Sequence, residues 1–228
     1  MYPNGKLKAL TLSYDDGVEQ DRRLVEIMNR YGIKGTFNLN SGLQTGASEW
    51  RRGECAIRRM NVAGLADLYK GHEIAVHSLT HPHLENLDRE TVINELGQDK
   101  LNLERISGAP VSGMAYPFGT YNDLVIEAAR ECGLRYARGV QSSYSFDIPP
   151  NLLEYRPTIH HADPSLMELA ETFIALKSAR HQVFYVWGHS YEFDVDNNWR
   201  VIEDFCRLVS GRDDIYYATN AQALGIAN

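Results

Sequence analysis

Short apolar runs alternate with longer amphipathic stretches along the whole chain, and that alternation constrains the fold more than any other feature. Residues 8–13 read as a strand, 20–31 as a helix stopped by Gly32, and 35–39 as a second strand. The polar, glycine-containing stretch 41–60 is expected to be a long functional loop. Asn61 then caps a helix to about residue 69, 73–77 is the third strand, and Asp88 caps a helix to about 106. A fourth strand at 111–116 is followed by a helix at 122–131 that Gly133 stops. Strands at 134–137 and 155–159 come next, and Asp163-Pro164 opens a further helix. A seventh strand at 183–187, a helix at 198–209 and a weak last strand at 215–218 complete the chain. Such alternation predicts parallel strands joined by crossover helices. No repeat or linker divides the 228 residues, a length ordinary for a single α/β barrel, so one domain over 1–228 is expected.

Periodicity alone does not say whether the sheet closes. The polar residues favour closure: Asp15-Asp16, His77, Tyr116-Pro117 and His189 each stand at or just after a strand end. In a β/α barrel those ends converge on one face, where such folds keep their chemistry.

The apolar share, 43%, is enough for a large core. No apolar run approaches the ~20 residues of a membrane-spanning helix. The first residues lack the apolar stretch of a secretory signal, so a cytoplasmic location is expected. A net charge of −7 with scattered Lys and Arg argues against a nucleic-acid partner. Cys55, Cys132 and Cys206, odd in number and far apart, fit neither a disulfide framework nor a thiolate metal site. Nothing in the sequence fixes the oligomeric state.

The sharpest chemical signal is His77-Ser-Leu-Thr-His81. A separation of four sets both imidazoles on one side of a helical turn, close enough to share a cation, and one carboxylate completes a set with positions left for water and substrate. Asp15-Asp16 can supply it. The side chains of adjacent aspartates diverge, so one suits the ion and its neighbour suits a proton. The competing reading for each motif alone is ordinary: a pair of capping histidines, and an Asp-Asp-Gly turn.

With these residues in view, the chain resembles the polysaccharide deacetylase family (NodB-homology domains, carbohydrate esterase family four). Ser13-Tyr-Asp-Asp-Gly17 is similar to the family's first motif, His77-Ser-Leu-Thr-His81 to its second, Ala115-Tyr-Pro-Phe118 to its third, and Trp187-Gly-His189 to its last. The resemblance implies a distorted (β/α) barrel of seven or eight parallel strands. It also implies one divalent metal per chain, commonly zinc, and removal of N- or O-acetyl groups from a carbohydrate. By position, Asp15 would be the general base, Asp16, His77 and His81 the metal ligands, the Phe118 backbone N–H an oxyanion donor, and His189 the general acid. Tyr116, Pro117 and Trp187 would line the substrate pocket, Trp187 standing where the family has a leucine.

Two departures bear on this. Ala115 replaces the arginine that orients the base in the family, and no Asp-Trp pair occurs anywhere. Arg138, at the expected C-terminal end of the fifth strand, is the candidate to serve Asp15 in that arginine's place; Arg156, at a strand's start, is the lesser one. His160-His161 read either as substrate contacts or as exposed loop histidines, and Trp50 and Trp199 either as sugar-stacking rings or as core. The alternatives are a cyclic-amide hydrolase of allantoinase-like type and a non-catalytic carbohydrate-binding domain.

Overall fold

The computed structural model describes residues 2–226. Strand β1 (Lys8–Asp15) is buried along its whole length and has partners on both edges. Its side chains divide by the period of two. Leu10, Leu12 and Tyr14 pack into the large core shared with the helices, whereas Ala9 joins a second cluster with Tyr136, Tyr155, Tyr185 and Trp187. The second cluster fills the inside of a curled sheet.

In chain order the other strands are β2 (Gly35–Leu39), β3 (Glu49–Arg52), β4 (Cys55–Arg58), β5 (Glu73–Val76), β6 (Gly113–Ala115), β7 (Tyr136–Arg138), β8 (Ile159–His160), β9 (Gln182–Gly188) and β10 (Ile215–Tyr217). The main sheet runs β7-β6-β5-β2-β1-β9-β8, with β10 pairing the first half of β1, and all of its pairings are parallel. A parallel bridge from Arg138 to Tyr155 continues into β8, which pairs with β9, so the two ends of the sheet meet through residues 155–160. The result is the distorted barrel expected from the sequence, its main sheet of eight parallel strands falling within the seven or eight foreseen. Strand β6 contributes Gly113 because a Cβ there would lie 1.9 Å from the Tyr136 ring.

Helices α1 (Asp21–Arg30), α2 (Leu65–Leu68), α3 (Arg89–Ser107), α4 (Asp123–Glu131), α5 (Leu166–Ala175), α6 (Glu192–Val195), α7 (Arg200–Val209) and α8 (Asn220–Ala223) connect the strands. Their ends follow local chemistry. Asp88 accepts from the Thr91 N–H at 2.9 Å to cap α3, and Gly108 closes it at φ 68°. Asn122 caps α4 in the same way. Among the described residues no helix is long and apolar enough to cross a membrane.

Three expectations need correction. Within the stretch read as a loop at 41–60, residues 49–58 fold into the antiparallel hairpin β3–β4, whose largely exposed strands carry too little apolar alternation to announce themselves. The helix expected at 61–69 is a 3-10 turn capped by Asn61 followed by the single turn α2. The strand expected over 155–159 pairs regularly only at Ile159–His160.

Candidate active site

The period of two that fills the barrel also delivers the site. On β9 the inward column Val183, Tyr185, Trp187 reaches His189 one step beyond the strand. On β5 the column of Glu73 and Ala75 ends at His77, and on β7 Tyr136 is followed by Arg138. On β1 the column ends at Asp15, with Asp16 just past it. Asp15, Asp16, His77, His81 and His189 line one cleft of about 690 Å³ at the strand C-termini. Tyr116, Phe118 and Trp187 line it too, whereas Pro117 is buried and outside the lining.

Asp16, His77 and His81 place one donor atom each within 4.8 Å of the others. The Nδ1 of His77 lies 2.8 Å from the Ala115 carbonyl, an acceptor only, so the ring proton sits there and the Nε2 lone pair faces the group. Burial lowers the pKa of both imidazoles, that of His81 to about 4 with His77 adding to the effect, so both are neutral and able to ligate. Neutral imidazoles, one fixed tautomer and one carboxylate suit a divalent cation with open positions.

The turn that carries these histidines is held from beneath. Asn40 Nδ2 donates to the carbonyls of His77 and Ser78, Asp99 accepts from the His77 N–H at 3.1 Å, and Glu95 accepts from the Thr80 N–H and hydroxyl. Such tethers are needed because Asp16 (φ 79°), Ser78 (φ 63°), His81 (φ 60°) and Phe118 (φ 58°) all occupy the left-handed region.

Asp15 stands between the donor group and His189. Its Oδ2 is 3.9 Å from His77 Nε2 and 4.0 Å from His189 Nε2. Arg138, fully buried, donates through Nη2 to Asp15 Oδ1 and through Nε to Ser13 Oγ at 3.2 Å. Asn38 Nδ2 donates to the same Asp15 oxygen at 2.8 Å. Burial opposes the charge on Asp15, but the hydrogen-bonded Arg138 guanidinium, with His189 behind it, outweighs burial and holds its pKa at about 2. Ala115 and Arg138 are register partners on β6 and β7, so a guanidinium from the neighbouring strand enters at the level where Ala115 leaves room. Arg156 is exposed and makes no contact with Asp15.

Two residues at the site had no signal in the sequence. Glu192, at the start of α6, accepts from the His189 N–H (3.1 Å) and sits 3.3 Å from His189 Nδ1. Burial opposes the protonated His189, yet Glu192, Asp15 and Asp16 raise its pKa. The other is Arg59, just after β4, whose Nη2 donates to Asp16 Oδ1 at 2.6 Å. His160 and His161 both reach Glu192, at 3.1 and 3.3 Å, and His161 is buried; neither reading of them as substrate contacts or exposed histidines describes that role. Trp50 lines the cleft, while Trp199 is buried against Phe193 and is core.

Residues 3–137 match the polysaccharide deacetylase family, and the chain belongs to it. It is 27% identical over 124 residues to chitin deacetylase 1 of Cryptococcus neoformans, covering 54% of this chain and 24% of that protein. The chain thus spans about a quarter of the length of that curated relative. Among solved structures it is similar to a Mycobacterium smegmatis protein described as a polysaccharide deacetylase (TM-score 0.68, 17% identity, 99% of this chain and 91% of that one). It is also similar to a family 4 carbohydrate esterase from Streptomyces lividans in complex with acetate (TM-score 0.61, 16% identity, 97% and 96%). At such identities the structural likeness speaks for the fold.

Proposed function

We propose that the chain hydrolyses acetyl groups from a carbohydrate, N-acetyl in preference to O-acetyl, with one divalent cation, zinc by preference, held by Asp16, His77 and His81. The observation that carries this reading is the position of Asp15, flanked at about equal distance by His77 of the donor group and by His189. A divalent cation supplies Lewis acidity there, polarising an acyl carbonyl and making water acidic enough to be deprotonated near neutral pH. Asp15 takes the proton. A carboxylate held at about 2 is always ionised but is a weak acceptor, so it serves as a base only toward water whose acidity has been raised.

His189 gives a proton to the departing group. Its Nδ1 faces Glu192, its Nε2 faces the cleft, and Glu192, Asp15 and Asp16 favour its protonated form against burial. An amine must be protonated before it leaves, which is why this acid favours the N-acetyl substrate. Arg138 orients Asp15, and the backbone N–H of Phe118 serves the developing oxyanion. Trp187 and Tyr116 form the wall for the acetyl group.

The test is acetate release from a panel of acetylated mono-, oligo- and polysaccharides with zinc or cobalt supplied. Asp15→Asn is expected to keep its metal while turnover falls by at least ~10²-fold. No acetate from any member, with the metal bound and cyclic amides turned over instead, overturns the reading.

A further inference from the structure

Each aspartate of the pair has its own buried arginine, and the two come from different kinds of structure. Arg138 is part of the barrel. Arg59 belongs to the return of the β3–β4 hairpin, where its N–H donates to the Ser48 carbonyl at 2.9 Å and it bridges antiparallel to Val18. It is only 8% exposed. Its Nη2 donates to Asp16 Oδ1 at 2.6 Å and to Asn40 Oδ1 at 3.3 Å, and its guanidinium lies 4.7 Å from the Trp50 ring centre. The oxygen it takes is the one that stands 3.9 Å from His81 Nε2, on the side of the donor group.

We propose that Arg59 is a built-in competitor for the cation, holding Asp16 Oδ1, the oxygen 3.9 Å from His81 Nε2, and so keeping the affinity low enough for ready exchange. This rests on the reading of Asp16, His77 and His81 as the ligands. The sign follows from the charge. A neutral donor or a carboxylate behind a ligand usually strengthens a site, and its loss costs about 10–100-fold in affinity. A guanidinium on the ligating oxygen draws off its electron density and repels the incoming cation across a poorly screened few ångströms. Two features tie the effect to the hairpin. Arg59 reaches Asp16 only because the return of the hairpin folds back against residues 17–19, and Trp50 of the same hairpin covers it.

The experiment is a chelator-competition titration of zinc and of cobalt into wild type, Arg59→Gln, Arg59→Lys and His77→Ala, with thermal melts in parallel. Arg59→Gln is expected to bind about tenfold or more tightly, as follows from removing a cationic centre a few ångströms from the ion, with Arg59→Lys in between because the charge stays but reaches less far. Metal-free Arg59→Gln is expected to melt below wild type and to gain more from saturating zinc, since a ligand stabilises according to its concentration relative to its dissociation constant. Equal or weaker binding in folded Arg59→Gln and Arg59→Lys overturns the proposal. If His77→Ala binds zinc as tightly as wild type, the ligand assignment itself fails. Weaker binding by the Arg59 variants together with loss of binding in His77→Ala leaves the ligand assignment standing and removes only the competitor.

Discussion

Among the described residues lie two groups of two histidines and one carboxylate, Asp16 with His77 and His81, and Glu192 with His160 and His161, each with its donor atoms within 4.8 Å. They differ in where the ring protons sit. His77 Nδ1 faces a carbonyl, so its Nε2 is a lone pair. His160 Nδ1 instead accepts from the Ala162 N–H at 3.2 Å, so its Nε2 carries the proton and donates to Glu192 at 3.1 Å. His161 Nε2 and the His189 N–H reach the same Glu192 oxygen, and His189 Nδ1 the other. Burial opposes the charge on Glu192, but these donors lower its pKa overall. One group is arranged to present lone pairs, the other to saturate a carboxylate. Proximity of ligand types does not make a cation site; the partners behind them decide.

The comparison breaks most visibly on metal content. His77→Ala is expected to lose its cation and at least ~10³-fold in turnover, while His161→Ala keeps one cation per chain; elemental analysis of both settles it. A cation lost from the second variant and not the first would invert the roles of the two groups. Between them stands Asp15, so the next test is its anchor. Arg138→Lys offers a point charge in place of a planar fork and is expected to lower kcat by ~10-fold at unchanged metal content; unimpaired turnover removes Arg138 from the site's workings. The smallest effect is a shift in pH. Glu192→Gln takes away the negative charge that raises the His189 pKa, so the acid loses its proton at lower pH. The alkaline limb of the kcat profile is expected to move to lower pH, with only a several-fold loss at neutrality. A limb that stays in place would separate the second group from the first altogether.

Much of this was legible in residue order. Strand ends could be found because buried parallel strands read as apolar runs, and the reactive types at those ends, Asp15, Asp16, His77 and His189, converge as a barrel requires. Arg138 could be singled out because the missing arginine at Ala115 posed the question, although β7 (Tyr136–Arg138) begins later than the strand expected there. Glu192 and Arg59 left no trace, since their partners are 3 and 43 residues away through turns and a hairpin that only tertiary packing defines. An arginine between polar neighbours looks the same in sequence whether it meets water or a buried aspartate.

The left-handed backbone at Asp16, Ser78, His81 and Phe118 has a consequence for anyone breeding this protein. Each such residue costs about 1–2 kcal/mol that glycine would not. A library selected for heat resistance alone would gather glycine at these four positions, raising the melting temperature while erasing two of the proposed ligands, the Ser78 hydroxyl that accepts from the His81 N–H, and the Phe118 ring edge-on to His81. Hardiness and chemistry pull against each other at the same four Cβ atoms, so a breeding scheme has to score turnover in every round.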